Sequence, residues 1–230
     1  MIKPQVKSKL ELEELLAAEV SSILQKEIDE FGDASLLVSG GSTPKGFFEA
    51  LSVKDMEWNK VHISLVDERF LPDGAADQNG TTVKKYLLSN HASKAKFYPH
   101  VKNPIDLMDS LTQFKKSIAS IRKPFTVVVL GMGNDGHTAS FFPDSDELKE
   151  VMDPNNENRV MIVNTPSSPY PRTTFTFREL IDAKFRFLHF YGEEKQKIYK
   201  EALQHSGYTP YPIQMFLNDS DHPIKLYSTI

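Results

Sequence analysis

His137 is the side chain best placed to move a proton. It ends the stretch Val127-Val128-Val129-Leu130-Gly131-Met132-Gly133-Asn134-Asp135-Gly136-His137. There an apolar, β-branched run gives way to three glycines, and an aspartate stands two residues before the imidazole. Histidine titrates near neutral pH, so it can take or return a proton during a reaction. The glycines, Gly133 among them, let backbone N–H groups approach an anion closely. The run before them reads as a buried strand, after which a helix could begin. Open α/β sheets bind ligands at the carboxyl ends of their strands. A structural histidine is the competing reading, and the glycine-rich turn just before it speaks for a functional one.

Two further strand ends carry chemistry. In Ser39-Gly40-Gly41-Ser42-Thr43-Pro44, Gly40 and Gly41 expose backbone donors, while Ser42 and Thr43 add hydroxyls. A helix beginning there favours an anion such as phosphate. A plain turn with Ser or Thr as helix cap has the same composition. The Gly-Lys-Ser/Thr ending of a Walker loop is absent. Asp67-Glu68-Arg69 directly follows Ile63-Ser64-Leu65-Val66, either facing a ligand or forming a solvated loop with an internal ion pair. Arg172 and Lys195 lie beside further strand ends and could bind an anion.

Other chemistries fit poorly. Gly131 to Gly136 matches G-x-G-x-x-G, but the acidic strand end expected about 20 residues later is missing. That region, with Pro143 and Pro154, is not strand-like, so no dinucleotide is expected. No G-x-S-x-G elbow is present, and no two histidines stand four apart as a helical metal pair. His62, His91, His100, His189, His205 and His222 are scattered singly and read as structural or surface residues.

The elements that position these residues follow from periodicity. Leu12, Leu15, Leu16, Val20, Ile23, Leu24, Ile28 and Phe31 predict a helix over 10–31, closed by Gly32. Strands are predicted at 34–39, 61–66, 125–130, 160–164, 173–177, 185–191 and 224–228. Helices are predicted from Pro44 to Leu51, then at 79–89, 104–121, 193–203 and 213–217. Pro44 suits a first helical position. Alternating strands and helices imply an α/β fold with a mostly parallel sheet and helices on both faces. No repeat, low-complexity segment or linker divides the chain, so residues 1–230 read as one domain. The Pro/Ser stretch at 165–171 reads as a loop over a site.

Bulk composition bounds the possibilities. The 230 residues carry a net charge of −4, with 40% hydrophobic and 25% charged side chains. That is an ordinary globular composition, and nothing global suggests nucleic acid or an anionic membrane as partner. An anionic substrate would need a local group of Lys and Arg. The chain has no cysteine, which excludes disulfides, thiolate catalysis and Cys-type zinc sites. The opening residues become acidic at once and do not read as a signal peptide. No run approaches the roughly 18 apolar residues of a membrane span. A cytoplasmic protein is expected, and the sequons at Asn79 and Asn218 then carry no meaning.

These residues resemble the 6-phosphogluconolactonase family over about residues 10 to 217. The similarity lies in Ser39-Gly40-Gly41-Ser42-Thr43-Pro44, in Trp58 ahead of Asp67-Glu68-Arg69, and in Asn79. It lies also in the block from Leu130 to Pro143, in Arg172 ahead of Thr173-Thr174-Phe175-Thr176, and in Lys195 after Gly192. Departures from the family pattern include Gln78, Asn134 and Phe141, two serines in the loop before Arg172, and a short tail. The resemblance implies a three-layer α/β/α sandwich with a modified Rossmann-like sheet, and hydrolysis of a sugar phosphate lactone without metal or cofactor. It implies His137, Arg69, Asp67 and Asp135 as catalytic residues. Gly40, Gly41, Ser42, Thr43, Asn79, Gly133, Arg172 and Lys195 would bind substrate or its phosphate. A monomer or weak homo-oligomer is expected. Glucosamine-6-phosphate deaminase is the nearest alternative, but it typically has Asp-Glu-Tyr for Asp67-Glu68-Arg69 and Ile-Ala-Phe-Asn-Glu after its Asp-Gly-His block. A non-enzymatic sugar-phosphate sensor of the same fold is a third reading.

Overall fold

The computed structural model describes residues 8–204, 210–221 and 223–229. Helix α1 spans Lys9–Phe31. Ser8 caps it by accepting from the Glu11 N–H, and Gly32, at φ 87°, closes it with an N–H to the Ile28 carbonyl. Leu12, Leu16, Val20, Leu24 and Ile28 share one buried face, as their spacing predicts.

The chain then alternates strands and helices: β1 (Ala34–Val38), α2 (Lys45–Ser52), β2 (Val61–Leu65) and β3 (Asp67–Arg69). Next come α3 (Asn79–Thr82), continued by a π-helical turn over Val83–Leu87, then β4 (Lys96–Tyr98), α4 (Leu107–Ser117) and β5 (Val127–Leu130). The remainder is α5 (Leu148–Val151), β6 (Val160–Val163), β7 (Arg172–Phe175), α6 (Phe177–Ile181), β8 (Phe185–Phe190), α7 (Glu193–Gln204), α8 (Gln214–Leu217) and β9 (Lys225–Ser228).

Six strands form one sheet in the order β4-β2-β1-β5-β8-β9, every pair parallel. The chain runs outward from β1 in one direction, then returns to β5 on its other side and runs outward again. This is the doubly wound order, whose crevice opens at the carboxyl ends of the two central strands. A second, antiparallel sheet, β3-β7-β6, stands beside it.

Strands buried on both faces feed two cores. Val127 and Val129 of β5 pack with α1 and α2 through Leu16, Phe47 and Phe48. Val128 and Leu130 point the other way, among Phe114, Phe141, Phe175 and Phe216. The two apolar layers, each covered by helices, make a three-layer α/β/α sandwich. Each fully buried aliphatic or aromatic side chain contributes about 1.5–3 kcal/mol.

Several elements differ from the sequence expectation. Asp67-Glu68-Arg69 is a strand of the second sheet, not a solvated loop, because Asp67 and Glu68 both find buried partners. The predicted strand at 173–177 ends at Phe175, since Phe177 already begins α6. The predicted helix over 104–121 is trimmed to α4, which Asp106 caps by accepting from the Asp109 N–H. Pro44 sits one residue ahead of α2, at its cap. Strand β4 was not predicted: three residues on a sheet edge carry no periodicity. His62 meets the Tyr98 hydroxyl at 2.8 Å, and His100 meets the Leu65 carbonyl at 2.8 Å while stacking on Phe114, so both are structural. His91 is exposed; His205 and His222 lie outside the described residues.

Candidate active site

A cleft of about 250 Å³ opens at the carboxyl ends of β1 and β5. Two loops leave these neighbouring strands and are stitched together. The Ser39 N–H donates to the Val129 carbonyl at 3.0 Å, and Ser39 Oγ accepts from the Gly131 N–H at 2.8 Å. Gly40, Gly41, Ser42 and Thr43 line one side of the cleft, and Gly131, Gly133 and His137 another. Gly41 adopts φ 88°, which favours glycine. A side chain at Gly40 would collide with Asn79, whose carboxamide lies 2.2 Å from where its Cβ would stand.

His137 and Asp135 form a pair. The imidazole Nδ1 lies 2.5 Å from Asp135 Oδ1, and the same oxygen accepts from the His137 N–H at 3.1 Å. Burial opposes the charge on Asp135, but the hydrogen bond and charge interaction with His137 hold its pKa below the ordinary value. Asp135 stands behind the ring, outside the cleft lining. With Nδ1 engaged, Nε2 is the nitrogen left for chemistry. The ring packs on Phe142, with centroids 4.4 Å apart. The glycine before the pair makes room for it: a Cβ at Gly133 would stand 2.3 Å from the imidazole and 2.6 Å from Asp135 Oδ1.

No helix begins at Asp135 or His137, contrary to the sequence expectation. The chain turns instead, with the Gly133 N–H on the His137 carbonyl at 2.9 Å and Ala139 at φ 49°. Thr138 Oγ1 donates to the Gly131 carbonyl. The glycine pattern therefore lacks the helix N-terminus that a pyrophosphate would need.

The second sheet supplies the opposite wall. Side chains alternate along β3, so Asp67 and Arg69 line the cleft while Glu68 points away. Asp67 Oδ2 accepts from Ser140 Oγ at 2.7 Å and lies 3.5 Å from an Arg172 guanidinium nitrogen. Arg172 also donates to Ser168 Oγ and lies over the Phe142 ring. Arg69 reaches the Asp77 carbonyl, and its Nε is buried without a partner among the described residues. An unpaired buried donor is costly.

Glu68 is 1% exposed and organises this wall from behind. Its carboxylate accepts from the N–H groups of Arg69, Asn79 and Gly80, at 2.6, 2.8 and 2.6 Å. The Asn79 carboxamide donates in turn to the Asp67 carbonyl. Burial pushes the Glu68 carboxyl up to about 7, against the pull of those three N–H groups.

Lys195, in the first turn of α7, reaches the cleft. Burial lowers its pKa, opposed by Asp135 and Glu194. Every residue singled out from the sequence thus gathers in or directly behind one cleft. Sequence reasoning missed Glu68, Ser140, Ser168 and His189. Glu68 was visible only as one of three charges; Ser140 lay in the matching block and Ser168 in the loop read as covering a site, but neither was given a role. His189 was read as structural or surface, yet it is buried and lines the cleft; its place near the end of β8 was the clue. Among the described residues no group of three or more His, Asp and Glu could hold a metal ion. Nor is any helix long and apolar enough to cross a membrane.

The chain is similar to known proteins over most of its length. A family model described as glucosamine-6-phosphate isomerases/6-phosphogluconolactonase matches residues 7–224. A 6-phosphogluconolactonase of Mesorhizobium japonicum is 40% identical over 212 residues, covering 92% of this chain and 88% of that protein. One from Rhizobium meliloti is 39% identical, covering 94% and 93%. The crystal structure of a 6-phosphogluconolactonase from Shewanella baltica superposes with a TM-score of 0.94 at 34% identity, covering 100% and 98% of the two chains.

Proposed function

The chain belongs to the 6-phosphogluconolactonase family, and we propose that its cleft hydrolyses 6-phospho-D-glucono-1,5-lactone to 6-phospho-D-gluconate with His137 as general base. The observation that carries this reading is the His137–Asp135 pair. Asp135 accepts the Nδ1–H and so fixes the tautomer in which Nε2 has a free lone pair. That nitrogen takes a proton from water as the water oxygen attacks C1. The carbonyl electrons move onto oxygen, and Arg69 stabilises the oxyanion or positions the lactone. The C1–ring oxygen bond then breaks, and the imidazolium returns its proton to the departing oxygen. The carboxylic acid product ionises. A lactone is an activated ester, so water suffices as nucleophile.

The remaining assignments follow from charge and placement. The Gly40–Thr43 loop, with Arg172 and Lys195, holds the 6-phosphate. Asp67 and Asn79 orient hydroxyls or the arginines, and Gly133 keeps the space His137 occupies. The test is a lactone-hydrolysis assay with the spontaneous background subtracted, run beside a glucosamine-6-phosphate deamination assay. Catalysed hydrolysis without ammonia release supports the lactonase. Ammonia release would instead assign the isomerase reaction, and binding of sugar phosphate without turnover a sensor.

A further inference from the structure

Arg172 has a neighbour that the proposed reaction does not use. Ser168, in the loop between β6 and β7, sets its Oγ against one edge of the guanidinium, accepting from Nε at 3.3 Å and from Nη2 at 3.0 Å. Its hydroxyl proton is directed to the Tyr170 carbonyl, 3.4 Å away. A serine oxygen has one proton and two lone pairs. The proton goes to the backbone, and both lone pairs serve the arginine. Arg172 Nη1 meets Asp67 Oδ2 at 3.5 Å, and the guanidinium carbon lies 5.2 Å from the Phe142 ring centroid. An arginine carries five N–H groups. Ser168 and Asp67 take one from each nitrogen, so each terminal nitrogen keeps one N–H for a ligand in the cleft.

The loop that presents Ser168 is held in turn. Asp144, directly after Phe142-Pro143, accepts from Thr165 Oγ1, from the Ser167 N–H at 3.1 Å and from Ser167 Oγ at 3.3 Å. The Ser168 N–H donates to the Thr165 carbonyl at 3.2 Å, which folds the loop back on its own start. At the far end the Pro171 carbonyl accepts from the Phe70 N–H at 2.9 Å. The segment that carries His137 therefore anchors the loop that grips Arg172.

The choice of a hydroxyl has a physical reason. Arg172 pairs opposite Arg69 in the β3–β7 register, so its guanidinium must be held against a like charge. A second carboxylate beside it would hold it firmly but would cancel the charge that an anion needs. A neutral oxygen orders the side chain and leaves that charge in place. Order in advance matters, because immobilising a long side chain during binding costs affinity.

We propose that Ser168 and Asp144 are positioning residues for phosphate binding: Ser168 fixes the Arg172 guanidinium before the ligand arrives, and Asp144 fixes the loop that presents Ser168. The phosphate rests on the lactonase reading; the preformed clamp does not.

The test has two arms. In protein labelled with ¹⁵N-arginine, the Arg172 Nε–H signal is assigned by its loss in Arg172→Ala. Without ligand, its heteronuclear NOE should match the rigid backbone, and in Ser168→Ala it should fall to that of a free side chain. In the kinetic arm, Ser168→Ala should raise KM for the phosphorylated lactone roughly 2–12-fold, the cost of immobilising one long side chain on binding, with kcat little changed. Asp144→Ala should move both readouts the same way, by less. Neither rise should appear with unphosphorylated gluconolactone. A mobile Arg172 Nε–H in the unmodified protein, an unchanged KM in Ser168→Ala, or equal rises on both lactones would overturn the proposal. Absence of lactone turnover in the unmodified protein would refute the reaction instead. The Arg172 signal, with the affinity of Ser168→Ala for inorganic phosphate, would then decide on the clamp alone.

Discussion

Arg69 and Arg172 stand directly opposite each other across the β3–β7 ladder, so two guanidinium groups share one wall of the cleft. Like charges in that relation repel. Asp67, on the same face, balances only part of the charge, because its Oδ2 also serves Ser140. A protein of net charge −4 thus concentrates positive charge where an anionic substrate would enter.

This arrangement predicts how binding fails. Arg172→Ala and Lys195→Ala should each raise KM roughly 10–150-fold, the equivalent of about 1.5–3 kcal/mol for a charge-assisted hydrogen bond. Most of that loss should disappear with unphosphorylated gluconolactone, because the deleted groups then have no phosphate to meet. KM values on the two lactones decide the matter: equal losses on both would mark the residues as structural.

His137→Ala should lower kcat by roughly 10²–10⁴-fold, the usual scale for general acid–base catalysis. KM should change far less. Asp135→Asn should also lower kcat, by a smaller factor, because an amide can donate to Nδ1 and favour the tautomer with its proton on Nε2. Steady-state kinetics on folded variants check both, and near-normal kcat in His137→Ala would remove it from the role.

Gly133→Ala tests whether space, not charge, holds the base in place. The new methyl group would overlap the imidazole at 2.3 Å, so the ring must move. A displacement of about 1 Å can cost on the order of 100-fold in rate. The expected outcome is that drop in kcat with the unfolding temperature little changed. Full activity would mean that the His137 position is not critical.

Glu68 should leave a signature in stability against pH. Its folded pKa, about 7, lies above the ordinary 4.5. Between those values the folded state keeps a proton that the unfolded chain has lost. Stability from this residue is therefore full below pH 4.5 and declines as pH rises to about 7, by at most about 1.4 kcal/mol per pH unit. His100 and His189, depressed by burial to about 4 and about 3, tilt the curve the other way: their stabilisation is lost as pH falls below 6.5. Urea unfolding of the protein and of Glu68→Gln across this range cancels the histidines, and a flat difference between the two would rule the effect out.

Much of this site was legible because its residues sit at strand ends, where glycine spacing and charge stand out against apolar runs. Val127 to His137 announced a strand and a turn, and Asp67 to Arg69 announced charge beside a β-strand. What could not be read was the direction of each side chain. Glu68 differs from its neighbours only by the alternation of a strand that was not predicted, since charge alone argues for solvent. Ser140 matters because folding brings it to Asp67 from a distant segment, and Ser168 because the loop before β7 turns its hydroxyl back onto Arg172. His189 looked like one scattered histidine until β8 placed it in the lining of the cleft.

The stitched contact between Ser39 and Gly131 has a consequence for which molecules the cleft accepts. The loop assigned to phosphate and the loop carrying the base spring from hydrogen-bonded neighbours, β1 and β5, whose axes lie about 4.8 Å apart. Neither loop can drift without breaking the bonds of Ser39 to Val129 and Gly131. The separation between anchored anion and attacked carbon is therefore set by the sheet itself, as the jaws of a locked calliper are set by their beam. Lactones whose phosphate sits one carbon nearer to, or farther from, the carbonyl should bind yet react slowly. The fold measures length before any side chain reads identity.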